Sequence, residues 1–484
     1  MEQIDFNYLD RLAQKYGTPF YMMDGSMYMH NIESFKSAFL SKYPHLVVGY
    51  SFKTNYVPAL CNIAMAAGCY AEVVSEMEYD LARRIGFKNV IFNGPIKREP
   101  ILYKALNEGS VINLDSLYEV ESVLKYKSKN PGRDVAVGLR LNIDLTDADG
   151  VSKVQCGLRV GRFGFTRKLL SDVIPSLKKS GIRIISLHGH TSSSDRAVAN
   201  YGLIVKQMLS LCSEFQLDDL QYFDVGGGFF GAAAKGIDVS NKPEYSDYAD
   251  IILDLCLQNE WFNKVLPNIV IEPGVSVVAN VFSYVSRIFQ TKEIAGQKFL
   301  STDGTVFDVK PTLHSNNLPH TFFVKESGDG TYVANLVGST CMEKDVILSD
   351  VCVPSTIKNG DYVLSLKANQ KNFYNEIKVV PTPTPSQTQA QPGSTPSTAP
   401  TPAAVQPIPT PSHDPTPTQA QPFPDIDAPA QIDTNAASDD PTVGGSTAQR
   451  YGIQYIREIT YKGKSTPSWI ILKDPKGRYC AIVT

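Results

Sequence analysis

The chain has 484 residues, 43% hydrophobic and 20% charged, with Lys+Arg 46 set against Asp+Glu 49. A formal net charge of −3 implies no polybasic nucleic-acid surface in the totals. No uncharged apolar stretch approaches the ~20 residues of a membrane span, and the opening Met1-Glu2-Gln3-Ile4-Asp5 lacks the basic and apolar run of a signal peptide, so the protein is expected to be cytoplasmic, with no membrane and no nucleic-acid partner.

Taken in chain order, the first 275 residues alternate short apolar runs with longer amphipathic stretches. The runs are Val47–Lys53, Cys69–Ser75, Val90–Pro95, Val111–Ser116, Val135–Asn142, Ile182–His190, Tyr222–Phe229 and Asn268–Gly274. Stretches such as Met77–Ile85, Leu117–Tyr126, Leu169–Ser180 and Tyr201–Phe215 carry apolar residues at i, i+3 and i+4 and read as helices. Strands joined by helical crossovers predict a parallel sheet, and eight of them favour a closed (β/α)8 barrel over an open doubly wound sheet.

After Gly274 the texture turns to strands: Val277–Gln290, Thr321–Val324, Tyr332–Val337 and Asp361–Leu366. The fold class is therefore α/β, a (β/α)8 barrel at 25–275 followed by a β-rich domain built from 1–24 and 276–380. Pro381–Gln449 then holds 16 of the 31 prolines, six Asp and no Lys, Arg or Glu. Such a composition buries too little apolar surface to offset its ordering entropy, and 381–450 reads as a disordered linker. The segment 451–484 is short and β-like. The linker either tethers that segment as an added module, the reading preferred on sequence, or splits the β-rich domain.

The eight cysteines are scattered, with no CxxC and no Cys/His cluster of zinc spacing, so reduced thiols and no metal site are expected. In a barrel, reactive groups gather at the carboxyl ends of the strands. Those ends here carry Lys53, Glu72, Ser75, Asn93, Asp115, Arg140, Asn142, His188, His190, Gly226-Gly227-Gly228 and Glu272. Lys53 closes an apolar run, so it either snorkels outward or is desolvated enough to form a Schiff base. The three glycines make a tight turn or let backbone N–H groups approach a phosphate. Glu272 is a loop acid or holds a ring nitrogen protonated. His188 and His190 are structural or metal ligands, with no third ligand at a suggestive spacing.

In this order the strand ends resemble the fold-type III pyridoxal-phosphate decarboxylases of amino acids, the diaminopimelate/ornithine/arginine decarboxylase family, with a style nearest diaminopimelate decarboxylase. The resemblance runs from about Leu12 to Leu366. It is carried by Lys15-Tyr-Gly-Thr-Pro-Phe-Tyr21, Tyr50-Ser-Phe-Lys53-Thr-Asn55, Asn113-Leu-Asp-Ser116 and Gly161-Arg-Phe-Gly164. It continues with His188-Gly-His190, Asp224-Val-Gly-Gly-Gly-Phe229, Glu272-Pro-Gly274 and Cys341-Met-Glu-Lys-Asp345.

The resemblance implies that Lys53 holds pyridoxal 5'-phosphate, His190 stacks on its ring, and Glu272 pairs with the ring nitrogen. Ser193, Gly226, Gly227, Gly228 and Gly274 would surround the phosphate. Cys341 would be the proton donor, and Cys341 and Asp345 would complete the site of a neighbouring subunit, which implies a homodimer with shared sites.

Three departures stand out. Val275 replaces the arginine that usually follows Glu-Pro-Gly, Met342 replaces an acidic residue after the cysteine, and Lys371 falls where a Gly-Ala-Tyr is due, with Tyr374 and Tyr451 as imperfect substitutes. In the specificity stretch Asp303–Ser315, Lys310 and His314 predict a substrate carrying a distal carboxylate or other anion, since Ser315 and Met342 cannot pair with a cation. The function expected is decarboxylation of a diaminopimelate-like amino acid. The alternatives are a catalytically silent homologue kept as a binding or regulatory partner and, more weakly, a racemase on the same fold type.

Overall fold

The structure is a computed structural model that describes residues 4–147, 149–154, 158–193, 195–233, 239–310, 316–366, 454–461, 464–473 and 479–483. The predicted linker, His314, Ser315, Lys371, Tyr374 and Tyr451 lie outside the described residues.

The chain opens with a helix, Phe6–Tyr16, started by Asp5, whose carboxylate accepts from the Tyr8 N–H at 2.7 Å. Strand β1 (Phe20–Asp24) follows, and then the barrel. Its strands are β2 (Leu46–Ser51), β3 (Tyr70–Val73), β4 (Val90–Phe92), β5 (Val111–Leu114), β6 (Val135–Arg140), β7 (Ile182–His188), β8 (Tyr222–Asp224) and β9 (Asn268–Ile271). Each pairs in parallel with the next, and β2 closes on β9 with Leu46 opposite Ile269. The expected (β/α)8 barrel is present.

The strands form from near-continuous apolar runs because both of their faces are covered. Phe92, Leu114 and Leu139 are fully buried, a state worth about 1.5–3 kcal/mol for each such side chain. The helices return the chain between them. The helix Glu76–Ile85 starts at Ser75, whose hydroxyl accepts from the Glu78 N–H at 3.2 Å, and it stops at Gly86 with φ +112, a conformation that glycine adopts without steric cost. The expected helices correspond to Glu76–Ile85, Leu117–Lys129, Arg167–Lys179 and Val198–Glu214.

The second sheet contains β10 (Phe282–Ile294), β11 (Gln297–Thr302), β12 (His320–Phe323), β13 (Thr331–Val337), β14 (Val346–Pro354) and β15 (Tyr362–Leu366). The run expected as a strand from Val277 starts instead as one helical turn, Val275–Val278, and becomes extended only at Phe282. The C-terminal strands β16 (Gln454–Tyr461), β17 (Lys464–Lys473) and β18 (Tyr479–Val483) join the same sheet, in the order β14-β13-β11-β10-β1-β18-β17-β16. Strand β18 lies parallel to β1, with Met22 opposite Ala481. A split β-rich domain would require this pairing, and a C-terminal truncation distinguishes it from a tethered module. No helix among the described residues is long and apolar enough to cross a membrane.

Candidate active site

The end of β2 is pinned on both sides. The Ser51 N–H donates to the Pro273 carbonyl at 3.1 Å, and the Phe52 N–H to the Glu72 carbonyl at 2.9 Å. These bonds hold the following turn, and Lys53 with it, at the barrel mouth. Lys53 Nζ reaches Glu72 Oε2 at 2.6 Å. Burial works against its ammonium, but the Glu72 and Glu272 carboxylates outweigh it and raise its pKa above the ordinary lysine value.

Glu72 is fully buried and belongs to a chain of polar groups inside the barrel. The Ser51 hydroxyl donates to its Oε2 at 2.6 Å and the Asn93 amide to its Oε1 at 3.2 Å. The same Asn93 amide donates to Glu272, and the Asn113 amide donates to Asn93 Oδ1 at 2.7 Å. Strands β2, β3, β4, β5 and β9 thus share one hydrogen-bonded layer beneath the mouth. A layer this deep is tolerated because its members pair with one another.

On the far side stand His188, Asp224 and Glu272, all buried, each offering one atom within 4.8 Å of the others. The sequence offered no third ligand beside the histidines; the fold brings two carboxylates to His188 and leaves His190 out of the group. His188 Nε2 is 3.6 Å from Glu272 Oε2, beyond a hydrogen bond. Burial first, and Arg140 second, drive His188 well below the ordinary imidazole range, so the contact is not an ion pair. Asp224 is pushed well above the usual carboxylate range, by burial first and by the Glu272 charge second.

His190 is held neutral in the same way, by burial and then Arg140. Its Nδ1 accepts from the Gly227 N–H at 3.2 Å, which fixes the ring beside the glycine loop. That loop has no room for side chains. A Cβ on Gly226, whose φ is +73, would fall 2.3 Å from His190 Cβ, and one on Gly227 would fall 2.4 Å from the Glu272 carbonyl oxygen.

Lys53, His190, Ser193, Gly227, Gly228 and Glu272 line one cavity of about 180 Å³. Gly274, Val275, Ser276 and Arg196 line it too. Gly226 shapes it from behind His190. Ser193 Oγ accepts from the Arg196 N–H at 3.1 Å. The Ser276 hydroxyl is buried with no hydrogen-bond partner among the described residues. Sequence reading missed Glu72 as the partner of Lys53, although its place at the end of the adjacent strand signalled it. It also missed Arg196 and Ser276, for which no signal stood out.

Cys341, Asp345 and Lys310 are the described residues expected to touch substrate. Cys341 is exposed and does not line the cavity of its own chain. Asp345 is buried and spends its carboxylate on its own loop: Oδ1 accepts from the Val306 N–H at 2.7 Å, and Oδ2 from the Thr340 N–H and hydroxyl at 3.0 and 2.6 Å. Within one chain the Asp345 carboxylate thus clasps the segments at Val306 and Thr340. Lys310 is also buried, which pulls its pKa down to about 8, and its Nζ points at the Asn316 carbonyl at 3.5 Å.

Residues 29–279 match the family model described as pyridoxal-dependent decarboxylase, pyridoxal binding domain. The diaminopimelate decarboxylase of Aquifex aeolicus is 26% identical over 372 residues, covering 75% of this chain and 84% of that one. The crystal structure of diaminopimelate decarboxylase from Helicobacter pylori, complexed with L-lysine, shares the fold with a TM-score of 0.62 at 22% identity, over 77% of this chain and 95% of that one. The M. jannaschii enzyme, in co-complex with L-lysine, aligns with a TM-score of 0.64 at 22% identity, over 75% and 86%.

Proposed function

The chain belongs to the pyridoxal-dependent decarboxylases, and on that premise we propose that it binds pyridoxal 5'-phosphate at Lys53 and decarboxylates an amino acid, with diaminopimelate the first substrate to test. The observation that carries the reading is the single cavity in which an amine, a neutral imidazole, a buried carboxylate and a glycine loop converge. The donor set fits the cofactor: a nucleophilic amine for an aldehyde, an acid for a ring nitrogen, and hydroxyl and backbone donors for a phosphate. The unpaired Ser276 hydroxyl and the side-chain-free glycine loop fit it as well.

When bound, the cofactor supplies a protonated pyridine ring that accepts the electrons of the breaking Cα–carboxylate bond. The remaining work falls to the chain. Lys53 would hold the cofactor through its amine. The Glu272 carboxylate would keep the proton on the ring nitrogen. His190 presents an uncharged flat face to the ring. The glycine loop and Ser193 hold the phosphate.

Cys341 is exposed and absent from the cavity of its own chain, which supports a site completed by a second copy. There Cys341 would return a proton to the substrate carbon after CO2 leaves. A diaminopimelate-like substrate is supported by the names of the relatives.

The experiment is CO2 release over diaminopimelate, basic amino acids and carboxylated conjugates, together with the visible absorption of lysine-linked cofactor. Both signals should vanish in Lys53→Ala. A colourless protein with no CO2 release would favour the silent-homologue alternative, whose motive is the apolar Val275 at the cavity wall.

A further inference from the structure

Val275 stands where the resembled family has an arginine, and it is buried against the cavity. A phosphate dianion facing it would meet hydroxyls and backbone N–H groups but no cation from that position. Charge-assisted hydrogen bonds are about twice as strong as neutral ones, so the loss is substantial. Among the described residues that line the cavity, Lys53 and Arg196 are the basic ones, and Lys53 is the residue proposed to hold the aldehyde. Arg196 reaches the cavity from the loop after β7, on the opposite side of the glycine turn in sequence from Val275.

The backbone holds Arg196 deliberately. Its φ of +52 is a left-handed conformation that costs a non-glycine residue energy, and such residues cluster at functional sites. Contacts on both of its peptide groups keep it there. Its N–H donates to Ser193 Oγ at 3.1 Å, and its carbonyl accepts from the buried Tyr248 hydroxyl at 2.7 Å. A second observation points to the same ligand. Ser276, next to Val275, keeps a buried hydroxyl without a partner at the wall of this cavity, and buried hydroxyls are rarely left so.

We infer that Arg196 binds the phosphate of the cofactor in place of the arginine replaced by Val275, with the Ser276 hydroxyl as a further donor. The inference rests on the proposed cofactor. Its two parts separate because pyridoxal carries the aldehyde and ring without the phosphate.

The test is equilibrium binding of pyridoxal 5'-phosphate and of pyridoxal to cofactor-free full-length chain, read by visible absorption. Arg196→Gly is the variant of choice because glycine accepts the positive φ, and Arg196→Lys restores charge without the fork. Arg196→Gly should weaken pyridoxal 5'-phosphate by at least about tenfold and leave pyridoxal within about twofold, with Arg196→Lys between. Equal weakening of both ligands, or unchanged affinity for pyridoxal 5'-phosphate, would overturn the assignment. A wild-type chain that takes up neither ligand would overturn the cofactor reading itself, and this assignment with it.

Discussion

Lys53 Nζ lies 2.6 Å from Glu72 Oε2, across the seam between neighbouring strands β2 and β3. The pair keeps the amine charged until something displaces it. Lys53 has its pKa raised, so the contact stabilises the cofactor-free chain below the ordinary lysine value of about 10.4, and that contribution fades as pH rises through the raised value. An uncharged amine is the form that attacks an aldehyde.

Glu72→Gln should therefore let Lys53 lose its proton at lower pH. Followed by visible absorption, cofactor uptake by the variant should show a pH midpoint below that of the wild type. A midpoint unchanged or shifted upward would show that Glu72 does not set the charge of Lys53.

Asp224 carries the opposite signature. Its pKa is raised, chiefly by burial, so ionising it opposes folding, and stability should fall as pH rises from about 4 toward the raised value. Asp224→Asn keeps an oxygen for the Gly226 N–H, which Asp224 Oδ1 accepts at 2.9 Å. Thermal midpoints of the variant across the acid-to-neutral range should show a shallower decline than those of the wild type. An identical slope would place the titration elsewhere.

Gly226→Ala should be poorly tolerated. The φ of +73 strains any side chain by about 1–3 kcal/mol, and the new Cβ would meet His190 at 2.3 Å, adding overpacking of about the same size. Chemical denaturation should report the combined loss, and the displaced imidazole should weaken cofactor binding. Wild-type values for both would contradict the close approach of loop and ring.

A chain ended at Leu366 loses β16–β18 and leaves β1 as an open edge beside β10. Such an edge invites association between chains. The truncated protein should be less soluble and should melt lower than the full chain in light scattering and thermal melts. A monodisperse remainder of equal stability would restore the tether reading of the C-terminal segment.

The barrel was legible because its strands are buried on both faces and read as apolar runs from Val47 to Gly274. Strands β11 and β14 were missed for the opposite reason: Gln297-Lys298 begin β11 exposed, and Ser349-Asp350 interrupt the apolar pattern of β14. Val275–Val278 misled because valines favour strands, yet here they turn once beneath the cavity. Lys53, His190, Glu272 and the glycines were candidates from their places at strand ends, and the fold brings them to one cavity or its edge. For Asp345 and Lys310 the sequence fixes which residue stands at the position but not which way its side chain turns. Arg196 gave no signal, because its role depends on a loop conformation that only the fold reveals.

The central claim is tested most directly by CO2 release from diaminopimelate with pyridoxal 5'-phosphate added, in wild type and in Lys53→Ala of confirmed fold. The account predicts release by the wild type, a visible absorption band of the bound cofactor, and the loss of both in Lys53→Ala. Full release by Lys53→Ala, or no cofactor uptake by the wild type, would contradict it.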